Sequence, residues 1–169
     1  ILSASITHGH QDAVTAACMT ALLAHQRLYH ETRFSELWAS VRDDVDIADP
    51  DTISWCDRCA ASVLPDRELL LGEYASYGVP YTDSRIFLGV VVFLLTRFGD
   101  DLCRLLTGAI RIGGDTDTVA AVVMGIALAR GAEESRIWEL AEEIEDGPYG
   151  KKYLVSVGDA LSERYNLVN

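Results

Sequence analysis

Thr82-Asp83-Ser84-Arg85-Ile86-Phe87-Leu88-Gly89-Val90-Val91-Val92-Phe93-Leu94-Leu95-Thr96-Arg97-Phe98-Gly99 is the stretch that decides the fold class. Its β-branched run, Val90 to Val92, favours a strand when read by itself. The apolar character nevertheless continues for more than two helical turns, and no partner strand reads out nearby. Thr82, Asp83 and Ser84 offer N-cap side chains in front of it, and Gly99 closes it. The segment is expected to be a strongly apolar helix ending at Phe98-Gly99.

The flanking sequence agrees with a helical chain. Gln11 to Tyr29 lacks Gly and Pro and is rich in Ala and Leu, with Val14, Cys18, Ala21, His25 and Leu28 recurring at three- and four-residue spacing. That pattern makes one helix with one stripe, and Asp12 in its first turn suits the positive end of the dipole. A shorter helix is expected over Ser35 to Val45, ended by the acidic Asp43-Asp44-Val45-Asp46. Asp49-Pro50 places an N-cap residue before proline at the first helical position, so a helix should run from Pro50 to Val63 with Pro65 closing it. Glu68 to Tyr77 adds another before Gly78 and Pro80 break the chain.

Further helices are expected over Asp100 to Ala109, with Leu102, Leu105 and Leu106 inward, and over Thr118 to Arg130 and Glu133 to Glu145. The last should run from Lys151 to Asn166, with Leu154, Val157, Leu161 and Tyr165 on one face. The fold class is all-α. No internal repeat, low-complexity tract or interdomain linker stands out.

Composition bounds the function. The 169 residues are 49% hydrophobic and 24% charged, the size and balance of a single domain spanning 1–169 with a core that needs no disulfide. Lys plus Arg number 14 against 26 Asp plus Glu, a net charge of −12. That field repels nucleic-acid backbones and anionic lipid headgroups, so neither a nucleic acid nor a membrane is an expected partner. The apolar runs Ile86 to Leu95 and Val119 to Ala129 are too short to span a bilayer, and Ile1-Leu2-Ser3-Ala4-Ser5 carries no signal-peptide pattern, so a cytoplasmic setting is expected.

Cysteines stand at 18, 56, 59 and 103. Cys56-Asp57-Arg58-Cys59 has metal or redox spacing, yet the histidines at 8, 10, 25 and 30 form no second pair at finger spacing near it. On a helix, residues 56 and 59 share a face, so both thiols read as small buried apolar groups kept reduced.

The chemistry concentrates in Ile112-Gly113-Gly114-Asp115-Thr116-Asp117-Thr118-Val119-Ala120-Ala121. Two carboxylates, two hydroxyls and two glycines open a helix whose body is apolar. One aspartate can cap that helix. A second is less easily explained by capping, and hard oxygen donors at this density suit Mg²⁺ or Ca²⁺. The glycines let backbone approach a ligand closely. Capping and metal binding both stay open on spacing alone.

Gly113-Gly114-Asp115-Thr116-Asp117-Thr118, followed by Ala120-Ala121 and Gly125, resembles the C-terminal metal motif of the ADP-ribosylglycohydrolases. Ser5-Ile6-Thr7-His8 ahead of an Ala-rich helix is similar to the family's Thr-His segment, which lines the ADP-ribose pocket. The apolar Tyr81 to Phe98 segment and Ile137-Trp138-Glu139-Leu140 follow in the family's order. The resemblance implies a compact orthogonal helical domain and a hydrolase that removes ADP-ribose from modified protein side chains, or from a small ADP-ribose adduct, by cleaving an N- or O-glycosidic bond.

The same resemblance implies a pair of Mg²⁺ ions, with Mn²⁺ as an alternative, and metal ligands at Asp115, Asp117 and Thr118. It implies substrate contacts at His8, Gly113, Gly114 and Thr116. His25 is expected at the edge of the core, and His10 and His30 at the surface.

The family's N-terminal half carries a Thr-Asp-Asp metal motif and the acidic residue that completes the reaction centre. Neither reads out of this sequence: Asp43-Asp44 follows Arg42 and lies after the Thr-His segment, while Thr52 and Thr82-Asp83 lack the second aspartate. The chain therefore resembles the C-terminal half of such a domain, holding half of a binuclear site and inactive alone. The start at Ile1, without an initiator Met, fits a fragment. A complementing N-terminal half or self-association is the expected cover for helices left without their neighbours. The alternative is a binding or structural member of the same fold without turnover.

Overall fold

The computed structural model describes residues 2–44, 46, 48–63, 66–131 and 135–165. They divide between two compact units, Ile1–Ala132 and Glu133–Asn169. Every regular element among the described residues is a helix, as the apolar run at Val90 to Val92 requires once it is read as helical.

In the first unit a short helix, α1 (Leu2–Thr7), precedes α2 (Gln11–Tyr29), whose ends fall where the sequence puts them. The buried side of α2 is Thr15, Ala16, Met19 and Leu23. The expected stripe lies beside it, with Val14 and Cys18 half-buried and Ala21, His25 and Leu28 exposed. Methionine and leucine offer more area to bury than alanine and histidine, and they decide which face turns inward.

The helix expected over Ser35 to Val45 is confined to α3 (Phe34–Leu37), followed by turns through Asp43. Val45 lies outside the described residues. Tight bonds from Val41 N to Trp38 O and from Asp44 N to Val41 O close these turns. They bury Trp38 and Val41 and let the Trp38 indole N–H donate to Asp57 Oδ1 at 2.8 Å. Extending the helix would set Asp43 and Asp44 at its negative end.

α4 (Pro50–Ala61) begins as expected and ends two residues before Val63; Pro65 lies outside the described residues. Asp49 caps it by accepting from Thr52 N at 2.8 Å and from the Thr52 hydroxyl at 2.7 Å, and Thr15 of α2 accepts from Asp49 N at 2.8 Å. The Glu68 to Tyr77 helix breaks into α5 (Arg67–Leu71) and one 3₁₀ turn, Gly72–Tyr74, because Gly72 takes φ 54°.

α6 (Ser84–Phe98) is the centre of the unit, with Ile86 and every residue from Leu88 to Leu95 buried. α2, α3, α4 and α5 pack against it, and so do α7 (Leu102–Ile112) and α8 (Thr116–Ala127). A helix apolar all round has to be enclosed in this way. Gly89 lets α4 approach closely, since a Cβ there would stand 2.6 Å from Trp55 Cδ1 and 2.9 Å from Cys59 Sγ. Asp83 and Asp101 cap α6 and α7 through Ile86 N and Arg104 N. Leu102 and Leu105 of α7 are buried as expected and Leu106 only half, while Ala109 and Ile112 complete its inner face.

The second unit holds α9 (Ser135–Glu142) and α10 (Lys151–Tyr165). Residues 133 and 134, where the sequence places the start of α9, and Asn166, where it ends α10, lie outside the described residues. No described residue of α10 is buried, and Leu154, Val157, Leu161 and Tyr165 are all exposed. Among the described residues no helix is long and apolar enough to cross a membrane.

Candidate active site

The Gly113-Gly114 pair builds a turn rather than a wall. Gly113 and Gly114 take φ 80° and 76°, conformations that side chains with a Cβ rarely adopt. In that conformation Val79 N donates to Gly113 O and Asp115 N donates to Val79 O, both at 2.9 Å, forming a single parallel bridge between Val79 and Gly114. A Cβ on Gly78 would lie 2.2 Å from Gly113 C, so three glycines permit this contact. The turn fixes where α8 starts.

Asp115 is the N-cap residue of α8, yet its side chain makes no capping hydrogen bond. Its Oδ1 accepts instead from the Thr118 hydroxyl at 2.7 Å. The carboxylate thus accepts no backbone N–H of the first turn, and its one bond stays within that turn, as the Thr52 hydroxyl bond to Asp49 does at the start of α4. Asp115 and Thr118 line a cavity of about 670 Å³ whose far wall is α2 and which His8 also lines. His8 is exposed, with Nδ1 2.7 Å from Thr7 Oγ1.

The remaining sequence candidates lie around this cavity without lining it. Asp117 is exposed on the first turn of α8, one position before Thr118. Thr116 is half-buried and gives its N–H to Gly114 O at 2.8 Å. Gly113 and Gly114 hold the turn. The structure thus gathers Asp115, Thr118 and His8 at one cavity, and sets Asp117, Thr116 and the glycines in the segment that orients two of them.

Three residues of the wall are ones that the sequence does not assign to the site. Tyr81 stands at the rim, 88% exposed, and Ser84 and Asp83 follow it. Asp83 Oδ1 accepts from Ile86 N at 3.0 Å and Oδ2 lies 3.8 Å from Arg85 Nη2, so this carboxylate is largely committed to its own helix. Its capping signal was legible; its nearness to Asp115 comes from the Val79–Gly114 bridge and leaves no trace in local sequence.

Hard oxygen donors at Asp115 and Thr118 match a divalent cation in kind. They do not match it in number, because no group of three His, Cys, Asp or Glu among the described residues could hold a metal ion. The Cys56-x-x-Cys59 pair is not such a site either. Both thiols are free and fully buried, and Cys59 Sγ lies against Gly89 of α6. Burial pushes Cys59 up to about 12 and Cys56 further in the same direction, so both stay protonated. His10, His25 and His30 are exposed; His25, expected at the core edge, instead stacks at the surface 4.8 Å from the Tyr29 ring.

Comparison with known proteins follows the same lines. The profile of the ADP-ribosylglycohydrolase family matches residues 1–164, nearly the whole chain. No curated protein and no solved structure gives a significant match.

Proposed function

Because this all-α chain belongs to the ADP-ribosylglycohydrolase family, whose members act on ADP-ribosylated substrates and are generally metal-dependent, we propose that it serves the hydrolytic removal of ADP-ribose from modified protein side chains. The observation that carries this reading is the Asp115 carboxylate, placed at a helix start, accepting no backbone N–H there, and joined to Thr118 on the wall of a cavity that also holds His8. At about 670 Å³ the cavity has the capacity of a small-molecule site, ~300–1,000 Å³.

In this proposal Asp115 and Thr118, with Asp117 from the same turn, present oxygen to a Mg²⁺ ion and to the ribose hydroxyls. A bound divalent ion supplies fixed positive charge that orients a diol. His8 donates to ribose or phosphate. Gly113, Gly114 and Thr116 act on the substrate through the backbone they position. Two cavity-facing donors with Asp117 beside them make part of a ligand set, and no group of three His, Cys, Asp or Glu among the described residues completes it, so in this proposal a complementing segment or a second chain supplies the remaining ligands and the acidic residue of the reaction centre. The exposed apolar face of α10 is in keeping with such association.

Isothermal titration of ADP-ribose into the chain with and without Mg²⁺, beside an assay of ADP-ribose release from ADP-ribosylated protein, tests the reading. Mg²⁺-dependent binding without release is the expected result. Release by the chain alone removes the half-site, and absence of binding in both conditions removes the proposal. Binding without turnover in every assembled form would favour a non-catalytic member of the family, the reading that the short donor set supports.

A further inference from the structure

A second cavity, of about 440 Å³, lies between α6 and α7 and shares no residue with the first. Phe93, Leu94 and Phe98 of α6 and Gly108 and Ile112 of α7 make its apolar floor, and Arg67, Arg104 and Arg111 border it. Gly108 lets α7 come close to this wall, since a Cβ there would stand 2.9 Å from Leu94 Cδ2 and 3.4 Å from the Phe98 ring.

The three arginines are the unusual part. The chain has 26 acidic residues for 14 basic ones, so a guanidinium has every opportunity to find a carboxylate. None of these three forms an ion pair with a described residue, whereas Arg42, Arg85 and Arg130 do. Arg67 is held rigid by carbonyls, donating from Nε to Ala75 O at 2.9 Å and from Nη1 to Ile112 O at 2.6 Å, so its charge faces the negative end of α7 and no carboxylate. Arg104 lies over the Phe98 ring at 5.0 Å. Three like charges at the border of an apolar hollow call for an anion attached to an apolar body.

We propose that this cavity binds an amphiphilic anion, with its apolar body against Phe93, Leu94 and Phe98 and a carboxylate or phosphate head on Arg104 and Arg111, beside the fixed Arg67. The volume suits a small molecule rather than a folded partner. The inference does not depend on the metal or ADP-ribose reading.

Calorimetric titration of the 169-residue chain with octanoate, octyl phosphate, octanol and octylammonium tests it. Octanoate and octyl phosphate should saturate, octanol should bind at least about tenfold more weakly, and octylammonium not at all. The paired surface change Arg104→Gln and Arg111→Gln should weaken octanoate about tenfold while leaving octanol binding unchanged and lowering the melting temperature by no more than a few degrees. Gly108→Leu should abolish all binding by filling the hollow; should that variant not fold, the arginine pair still decides. Octanol binding as tightly as octanoate, unchanged octanoate affinity in the arginine variant, or no saturable octanoate binding would each overturn the proposal. Uptake of an acidic, apolar peptide in place of octanoate would also overturn it, in favour of a protein contact.

Discussion

Gly114 lies so close to Val79 that a Cβ on the glycine would stand 2.2 Å from the Val79 carbonyl oxygen. That carbonyl accepts from Asp115 N, so the contact that excludes a side chain is the one that aims Asp115 into its cavity. Gly114→Ala must relieve a clash with backbone and leave a φ of +76° that alanine disfavours. The expected cost is about 2–4 kcal/mol of unfolding free energy, read as a lowered urea midpoint at constant slope. A cost under about 0.5 kcal/mol would show that the turn can slide away from Val79 without consequence.

How far the sequence disclosed this arrangement depends on the range of the forces involved. α2, α6 and the start of α4 were legible because cap, period and breaker all lie within a few residues of one another: Asp49 and Asp83 do bond the N–H groups their positions suggest. The end of α3 was not legible, because it is set by Trp38 reaching Asp57 nineteen positions away. The inward side of α2 was misplaced for a related reason, since alanines at positions 13 to 24 give little contrast and the core chose Met19 and Leu23. At the site, the Gly-Gly-Asp turn announced itself, whereas the approach of Asp83, Ser84 and Tyr81 depends on a backbone bridge between Val79 and Gly114.

The two carboxylates of the turn separate metal binding from helix capping. Asp115 gives no capping bond to α8 and Asp117 is exposed, so Asp115→Asn and Asp117→Ala should each change stability by less than about 1 kcal/mol. Each should weaken Mg²⁺ or Mn²⁺ binding by roughly tenfold or more in titration calorimetry. Unchanged affinity in Asp117→Ala would remove that residue from the ligand set and leave Asp115 with Thr118.

His8 lines the same cavity, its side chain exposed with Nδ1 on the Thr7 hydroxyl, so the fold does not depend on that side chain. His8→Ala should leave the melting temperature within a degree or two while weakening ADP-ribose binding about tenfold, the loss of one or two hydrogen bonds to a charged ligand. Equal affinity in variant and parent would return His8 to the role of a surface loop residue.

Cys56 and Cys59 offer a pH dependence whose sign is fixed by burial. Their folded-state values lie above the ordinary 9.0, at about 12 for Cys59, because the interior between α4 and α6 penalises the thiolate. Between about pH 9 and 12 the unfolded chain therefore releases protons that the folded chain keeps, and stability falls with rising pH by up to about 1.4 kcal/mol per unit for each such thiol. Stability from this source is complete below pH 9. Cys59→Ala should flatten the decline, so the stability gap between parent and variant, measured by urea unfolding at increasing pH, should shrink over that range. The same protonation predicts that neither buried thiol reacts with a thiol reagent in the folded chain at pH 8, while denaturation exposes all four cysteines. Labelling of Cys56 or Cys59 in the native protein, located by mass spectrometry, would mean that α4 opens from α6 under native conditions, contrary to the packing of Gly89 against Trp55 and Cys59.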